Sequence, residues 1–399
     1  MFNQGELENY VDVLFWGLNI SRKAKYKKGD IILIRYDNAA LHLAEMVFQK
    51  IIDMGMHPVL RMALTVTMEK AYFKQASRKQ LIFKTPGEQE LFEHLNGSIF
   101  LHAPESITHL SDIDPKQINT SILAKKYLRE IMNNREETGD FSWTLCMFPT
   151  HGLAKHAGLS IEAYAEQVKQ ACFLNHSCAV SQWESIYENA MQIKKWLTSM
   201  DIKYYHIVSD QIDMVISQGD QRKWLGISGH NIPSFEIFLS PDWRGTQGTY
   251  FANQPSFRNG NYVKNIKLTF EHGVVKTIQA EEGEEFLRKQ LTMDAGASRI
   301  GEFSLTDKRF SKINAYMANT LFDENYGGDF GNCHIALGSS YSNSYNGDSS
   351  TLTKPRKKQL GFNDSALHWD IINTEKKLIT AHLKSGKKKI IYENGYFTY

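Results

Sequence analysis

Apolar positions along the first half of the chain switch repeatedly between two spacings. Residues 6 to 18 set apolar side chains among acidic ones at helical intervals. Gly29-Asp30 then opens a continuous apolar run, Ile31-Ile32-Leu33-Ile34-Arg35-Tyr36, of the kind a buried strand requires. Ala40, Leu43, Ala44, Val47, Ile51 and Met54 share one stripe of a helix that Gly55 closes, and Val59 to Leu64 reads as a second strand. Strand, helix and strand in so short a stretch form a βαβ unit with parallel strands. The pattern continues with a helix over 88–95, a strand over Ser98–His102, a helix over 117–132, a polar loop over 133–140 and a strand over 142–148. Helices near 160–173 and 182–199 follow. This half predicts an open, doubly wound α/β domain.

From about residue 203 the texture changes to short strand-like runs divided by polar turns: 203–209, 211–217, 223–229, 248–251, 262–270 and 273–280. That spacing predicts a mixed, largely antiparallel sheet. Helices are expected over 281–290 and 307–318, and terminal strands over 376–383, 387–392 and 395–399. The Ser339 to Thr353 loop is long enough to cover an active site. The expected division is an N-terminal α/β domain, 1–222, and a C-terminal α+β domain, 223–399.

Composition narrows the function. The chain has 399 residues, 42% hydrophobic and 23% charged, which suits two globular domains rather than disorder. A net charge of +2 gives no electrostatic footprint for nucleic acid, and the basic runs 354–358 and 387–389 read as solvated loop charge. Four cysteines without a Cys-x-x-Cys pair suit a reducing compartment. No run has the length of a membrane span and the opening residues lack a signal pattern, so the cytoplasm is the expected location. No Gly-x-Gly-x-x-Gly, Gly-x4-Gly-Lys-Ser/Thr or Gly-x-Ser-x-Gly occurs. His151 and His156 stand five apart with no glutamate between them, unlike a zinc-binding His-Glu-x-x-His helix.

The remaining chemistry lies in the second half, in four segments that set a carboxylate or imidazole into an apolar, strand-like run. They are Pro233-Ser234-Phe235-Glu236-Ile237-Phe238, Gly301-Glu302-Phe303-Ser304-Leu305, Cys333-His334-Ile335-Ala336-Leu337-Gly338, and Leu367-His368-Trp369-Asp370. Alternation along a strand turns His368 and Asp370 to one face and Trp369 to the other. A buried carboxylate such as Glu236 costs several kcal/mol unless a cation or strong donors meet it. A divalent metal would serve, and so would an arginine, Arg244 or Arg299. Cys333 faces away from His334 and is not a nucleophile paired with it.

These segments resemble the thermophilic metalloaminopeptidases of the aminopeptidase T and aminopeptidase S type. The resemblance is carried by Asn231-Ile-Pro-Ser-Phe-Glu236-Ile-Phe, Gly296-Ala-Ser-Arg-Ile-Gly-Glu302, Cys333-His334-Ile-Ala-Leu-Gly-x-x-Tyr341 and His368-x-Asp370, in order and approximate spacing. It extends through the first half to the Gly29-Asp30 and Trp143–Thr150 strands. It implies a two-domain homodimer with two divalent ions, Zn, Co or Mn, and release of N-terminal residues from short peptides. The implied ligands are Glu236, Glu302, His334, His368 and Asp370, with Tyr341 as the active-site tyrosine. Glu302 is the expected bridging carboxylate, because Glu236 lies in the more apolar run. Tyr341 has a phenol able to bond an oxyanion, or it is a packed aromatic in a tyrosine-rich stretch. Many relatives carry an acid directly before the ligand glutamate, where this chain has Phe235.

Two other readings remain. A ring-cleaving dioxygenase on the same fold would hold one iron with His334, His368 and Asp370. A binding homologue would have no activity. Metal analysis separates them: the peptidase reading expects Zn, Co or Mn to support hydrolysis, whereas one iron per chain with oxygen uptake would replace it.

Overall fold

The computed structural model describes residues 1–258, 260–348 and 351–399, so Ser349 and Ser350 of the expected covering loop lie outside the described residues. The chain divides into two compact units, Met1–Trp183 with Ser228–Pro233, and Glu184–Ile227 with Ser234–Tyr399.

The first unit is an α/β layer built on five parallel strands. Their spatial order is His57–Met62, Ile31–Tyr36, Gly97–His102, Ser142–Met147 and Asn231–Ile232. Ile32, Leu33 and Ile34 are buried, as the continuous apolar run requires of a central strand. Helix Gln4–Ile20 starts at a capping box in which Asn3 and Glu6 satisfy one another's backbone N–H groups. Tyr10 on its buried side donates to the Met147 carbonyl at 2.7 Å.

The second unit contains an eight-stranded antiparallel sheet and a four-stranded one. The larger runs Val274–Gln279, Ile266–Glu271, Gln247–Ala252, Asp213–Ser217, Ile202–Val208, Leu378–Leu383, Lys388–Glu393, Tyr396–Phe397. The smaller runs His368–Asn373, Asn332–Gly338, Ile300–Thr306, Glu236–Leu239, all antiparallel. Its two inner strands are buried along their whole length.

Three expectations give way to local chemistry. The single helix expected over 117–132 is two, Pro115–Ala124 and Lys126–Thr138. The second runs through most of the supposed loop and ends on Gly139, whose φ of 87° supplies the left-handed cap. Residues 307–318 form no helix. Asp307 instead binds the Arg309 backbone and guanidinium and the Phe397 N–H, while Ser311 Oγ donates to the Asn325 carbonyl and accepts from Ile313 N. Side-chain bonds of this kind compete with the helical ladder. The 223–229 run forms no strand and joins the sheet's hydrogen-bond ladder by an isolated bridge between Leu225 and Phe238.

Register in the four-stranded sheet decides what each face carries. Glu302 lies opposite Ala336, and Ser304 opposite His334 and Phe238. Thr306 lies opposite Glu236, Ala336 opposite Asp370, and Gly338 opposite His368. Residues opposite one another in an antiparallel pair share a face, as do residues i and i+2. Glu236, Glu302, His334, His368 and Asp370 therefore stand on one face. Ile237, Leu239, Phe303, Leu305, Ile335, Leu337, Trp369 and Ile371 line the other. The second face packs on the larger sheet, with the Phe303 ring centroid 5.3 Å from that of Tyr205.

A register shift between Ile300 and Glu302 turns the latter onto the polar face, and Gly301 occupies the shift. A Cβ there would lie 2.3 Å from the Ser339 carbonyl oxygen and 2.4 Å from that of Gly338. Gly301→Ala is expected to cost about 2–3 kcal/mol through backbone displacement, read as a Tm lower by several degrees. An alanine variant that melts with the wild type would show the strand to be free to shift.

Candidate metal centre

The three side chains nearest one another are Glu236, Glu302 and His334, whose ligand atoms all lie within 4.8 Å. His334 Nε2 stands 3.1 Å from Glu302 Oε1, 3.3 Å from Glu236 Oε2 and 3.9 Å from Asp370 Oδ1. His368 Nε2 stands 3.5 Å from Asp370 Oδ1 and 3.9 Å from Glu302 Oε2. The two oxygens of Glu302 thus face different imidazoles. Ser304 Oγ donates to Glu236 Oε2 at 3.3 Å. His368 Nδ1 is 2.9 Å from the Ser339 carbonyl, which can only accept, so Nδ1 carries a proton and Nε2 is the nitrogen turned toward the carboxylates.

Tyr341 approaches from the side. Its ring packs edge-on against His368 with centroids 4.8 Å apart, and its backbone N–H donates to Ser240 Oγ at 2.8 Å. The side chain is 45% exposed, yet local desolvation, with the charges of Glu302, Asp370, Glu236 and Glu324 added, holds its ionisation well above the usual tyrosine range. The phenol stays protonated at neutral pH and remains a donor.

Sequence reasoning passed over Glu324. It follows the short helix Thr320–Asp323, is buried, and feels the charges of Glu236, Asp370, His334 and Glu302. Its own carbonyl accepts from Thr306 Oγ1 at 3.3 Å and Asn332 Nδ2 at 2.9 Å, two residues on the ligand-bearing face. Asn325 ties the same turn to the strand entry, its Oδ1 accepting from Phe235 N and its Nδ2 donating to the Leu321 carbonyl. The available signal was the acidic pair Asp323-Glu324 behind the apolar pair Leu321-Phe322 and ahead of Cys333-His334. Phe235, in the place of the relatives' acid, is fully buried.

The electrostatics call for positive charge. Burial pushes Glu302 up to about 7 against the pull of His334, and lifts Glu324 well above the carboxylate range. Burial also opposes ionisation of Asp370, yet His368, His334 and Arg258 bring it down to about 2. Neither arginine proposed for Glu236 serves it. Arg244 pairs with Asp242 at 2.6 Å, and Arg299 lies over the Trp243 ring at 4.0 Å.

These residues fit a divalent cation. Four carboxylates and two imidazoles form an oxygen and nitrogen donor set without thiolate, and buried His334 Nδ1 has no hydrogen-bond partner. An α/β chain that brings such a set together is a divalent-metal-binding protein in class. Over residues 3–397 it matches the model of the thermophilic metalloprotease family (M29), and the chain belongs to that family. It is accordingly an enzyme acting on peptide bonds. Aminopeptidase AmpS of Bacillus subtilis is 27% identical over 79% of this chain and 80% of its own. Aminopeptidase 2 of Geobacillus stearothermophilus is 30% identical over 78% of each. A solved structure, wild-type AmpT from Thermus thermophilus, shares the fold with a TM-score of 0.79 at 20% identity, covering 98% of this chain and 99% of that one.

Glu324→Gln keeps the shape and removes the charge. It is expected to weaken divalent-ion binding about tenfold or more with unchanged circular dichroism, measured by chelator competition. Unaltered affinity would place Glu324 outside the centre.

Proposed function

We propose that the chain is a two-metal aminopeptidase that releases N-terminal residues from short peptides, its ions held by Glu236, Glu302, His334, His368 and Asp370 with Glu324 completing the set. The observation that carries this reading is Glu302, whose Oε1 approaches His334 and whose Oε2 approaches His368. That division is what a carboxylate bridging two ions needs. Zn, Co or Mn suits the donors. Bound there, such ions supply Lewis acidity to the scissile carbonyl, a water acidic enough to ionise near neutrality, and an anchor for the free amine.

The protein's own groups do the rest. Ser304 orients Glu236 and the Ser339 carbonyl fixes the His368 tautomer. Tyr341, protonated and beside His368, donates a hydrogen bond to the oxygen that gains charge as the peptide carbonyl becomes tetrahedral, where one such donor is worth about 2.7–4 kcal/mol. All these groups lie within 223–399, which we assign as the catalytic region, and the compact unit that holds them also takes in 184–222. A cytoplasmic homodimer belongs to the same reading and rests on the family resemblance. No helix among the described residues is long and apolar enough to cross a membrane.

A single-iron dioxygenase would use two imidazoles and one carboxylate and leave the buried Glu236, Glu302 and Glu324 without a cation, at a cost of several kcal/mol each. The donor count favours two ions.

Stripped protein is expected to be inactive on leucine p-nitroanilide and on dipeptides, and to regain activity with Zn²⁺, Co²⁺ or Mn²⁺. Glu302→Gln, an amide that bridges poorly, is expected to lose at least about a thousandfold in kcat with unchanged folding. Near-wild-type turnover in that variant would contradict the bridging role.

A further inference from the structure

The strand carrying His368 and Asp370 is an outer strand of its sheet, and its strand partner among the described residues is Asn332–Gly338. An outer strand with a free side is held less firmly than a central one, and here it bears two of the donors. Residues 254 to 258 run along that free side in the opposite sense. Gln254 N donates to the Ile372 carbonyl at 3.2 Å, Trp369 Nε1 donates to Ser256 Oγ at 2.9 Å, and Arg258 Nη1 donates to the His368 carbonyl at 2.9 Å. Gln254 thus meets the strand through its backbone, and Ser256 and Arg258 meet it through their side chains.

Arg258 makes the most of these contacts. Beyond its bond to His368, its guanidinium lies over the Trp369 ring at 5.4 Å, and its charge acts on Asp370. One side chain thus engages three consecutive residues of the strand. Phe286 also meets Trp369 edge-on, with ring centroids 6.0 Å apart, so the indole is held by a second side chain.

We infer that Arg258 is a positioning residue of the metal centre: its guanidinium clamps the outer strand, fixes His368 Nε2 relative to Asp370, and so sets the affinity for divalent ions. This rests on the reading of the site as a metal centre. Arg258 acts through the backbone of one donor residue and the indole between the two. Lysine at the same place keeps the charge and one donor, whereas methionine keeps only the apolar stem.

The test compares wild type, Arg258→Met, Arg258→Lys and Ser256→Ala, each stripped with chelator and checked by circular dichroism and Tm before Zn²⁺ is titrated against a chromophoric competitor. Arg258→Met is expected to bind Zn²⁺ about 10–100-fold more weakly with little change in the Tm of the stripped protein, and Arg258→Lys to recover most of the loss. At saturating Zn²⁺, kcat should fall while KM stays near wild type. A folded Arg258→Met that binds Zn²⁺ within twofold of wild type overturns the role. Should that variant not fold, Ser256→Ala loosens the same clamp at Trp369, and unchanged Zn²⁺ affinity there overturns it equally. A wild type that binds Zn²⁺ but cleaves no peptide would sink the aminopeptidase reading and leave Arg258 in place, whereas unchanged affinity in an active protein would sink Arg258 alone.

Discussion

Three carboxylates on one face of a small sheet, Glu236, Glu302 and Asp370, together with Glu324 on a neighbouring turn, are mutually repulsive and poorly solvated, and the second unit is arranged around that constraint. Each buried anion costs several kcal/mol unless positive charge is brought to it. The face offers two imidazoles and the nearby Arg258, which do not balance four acids. The structure tolerates the imbalance because the opposite face of the same strands is apolar and fully packed. Phe303, Leu305, Ile335 and Leu337 are buried without remainder, and each contributes on the order of 1.5–3 kcal/mol by leaving water. A sheet anchored so firmly on one side can hold an unfavourable pattern on the other.

The backbone around the centre is fixed by side chains rather than by ladders alone. Asn363 Nδ2 donates to the carbonyls of Gly296 and Gly338, joining the approach to the Glu302 strand with the end of the His334 strand. Arg222, buried, donates to the carbonyls of Ser240, Asp220 and Leu360 and lies 3.6 Å over the Phe362 ring, holding the segment that leads to Asn363. Asp323 accepts from Met317 N and Asn319 N, so the loop before Glu324 has a fixed shape without being a helix. Each is a polar group buried with its partners supplied, the condition under which such groups order a fold.

Much of this was legible in the chain. The apolar runs at Ile31–Tyr36 and Ser142–Met147 announced a parallel sheet, because only strands covered on both faces are apolar throughout. The period of two at His368-Trp369-Asp370 placed its donors on a common face. What periodicity could not supply was pairing between distant strands. The opposition of Ser304 to both His334 and Phe238 follows from register, which depends on the whole sheet. Glu324 escaped notice because it lies on a turn, where no repeat marks which side chains point inward. The 307–318 segment misled for a related reason: its helical spacing was real, but Asp307 and Ser311 had nearer partners in the backbone.

Tyr250 shows how the two faces are divided in labour. Its phenol, on the larger sheet, lies 2.9 Å from the Cys333 carbonyl and 3.0 Å from that of Ile371, reaching the neighbouring ligand strands from behind. The spacing of the proposed ligand residues is therefore set in part by Tyr250, a side chain with no exposure to solvent. A substitution at the rim of the proposed site would leave that brace untouched.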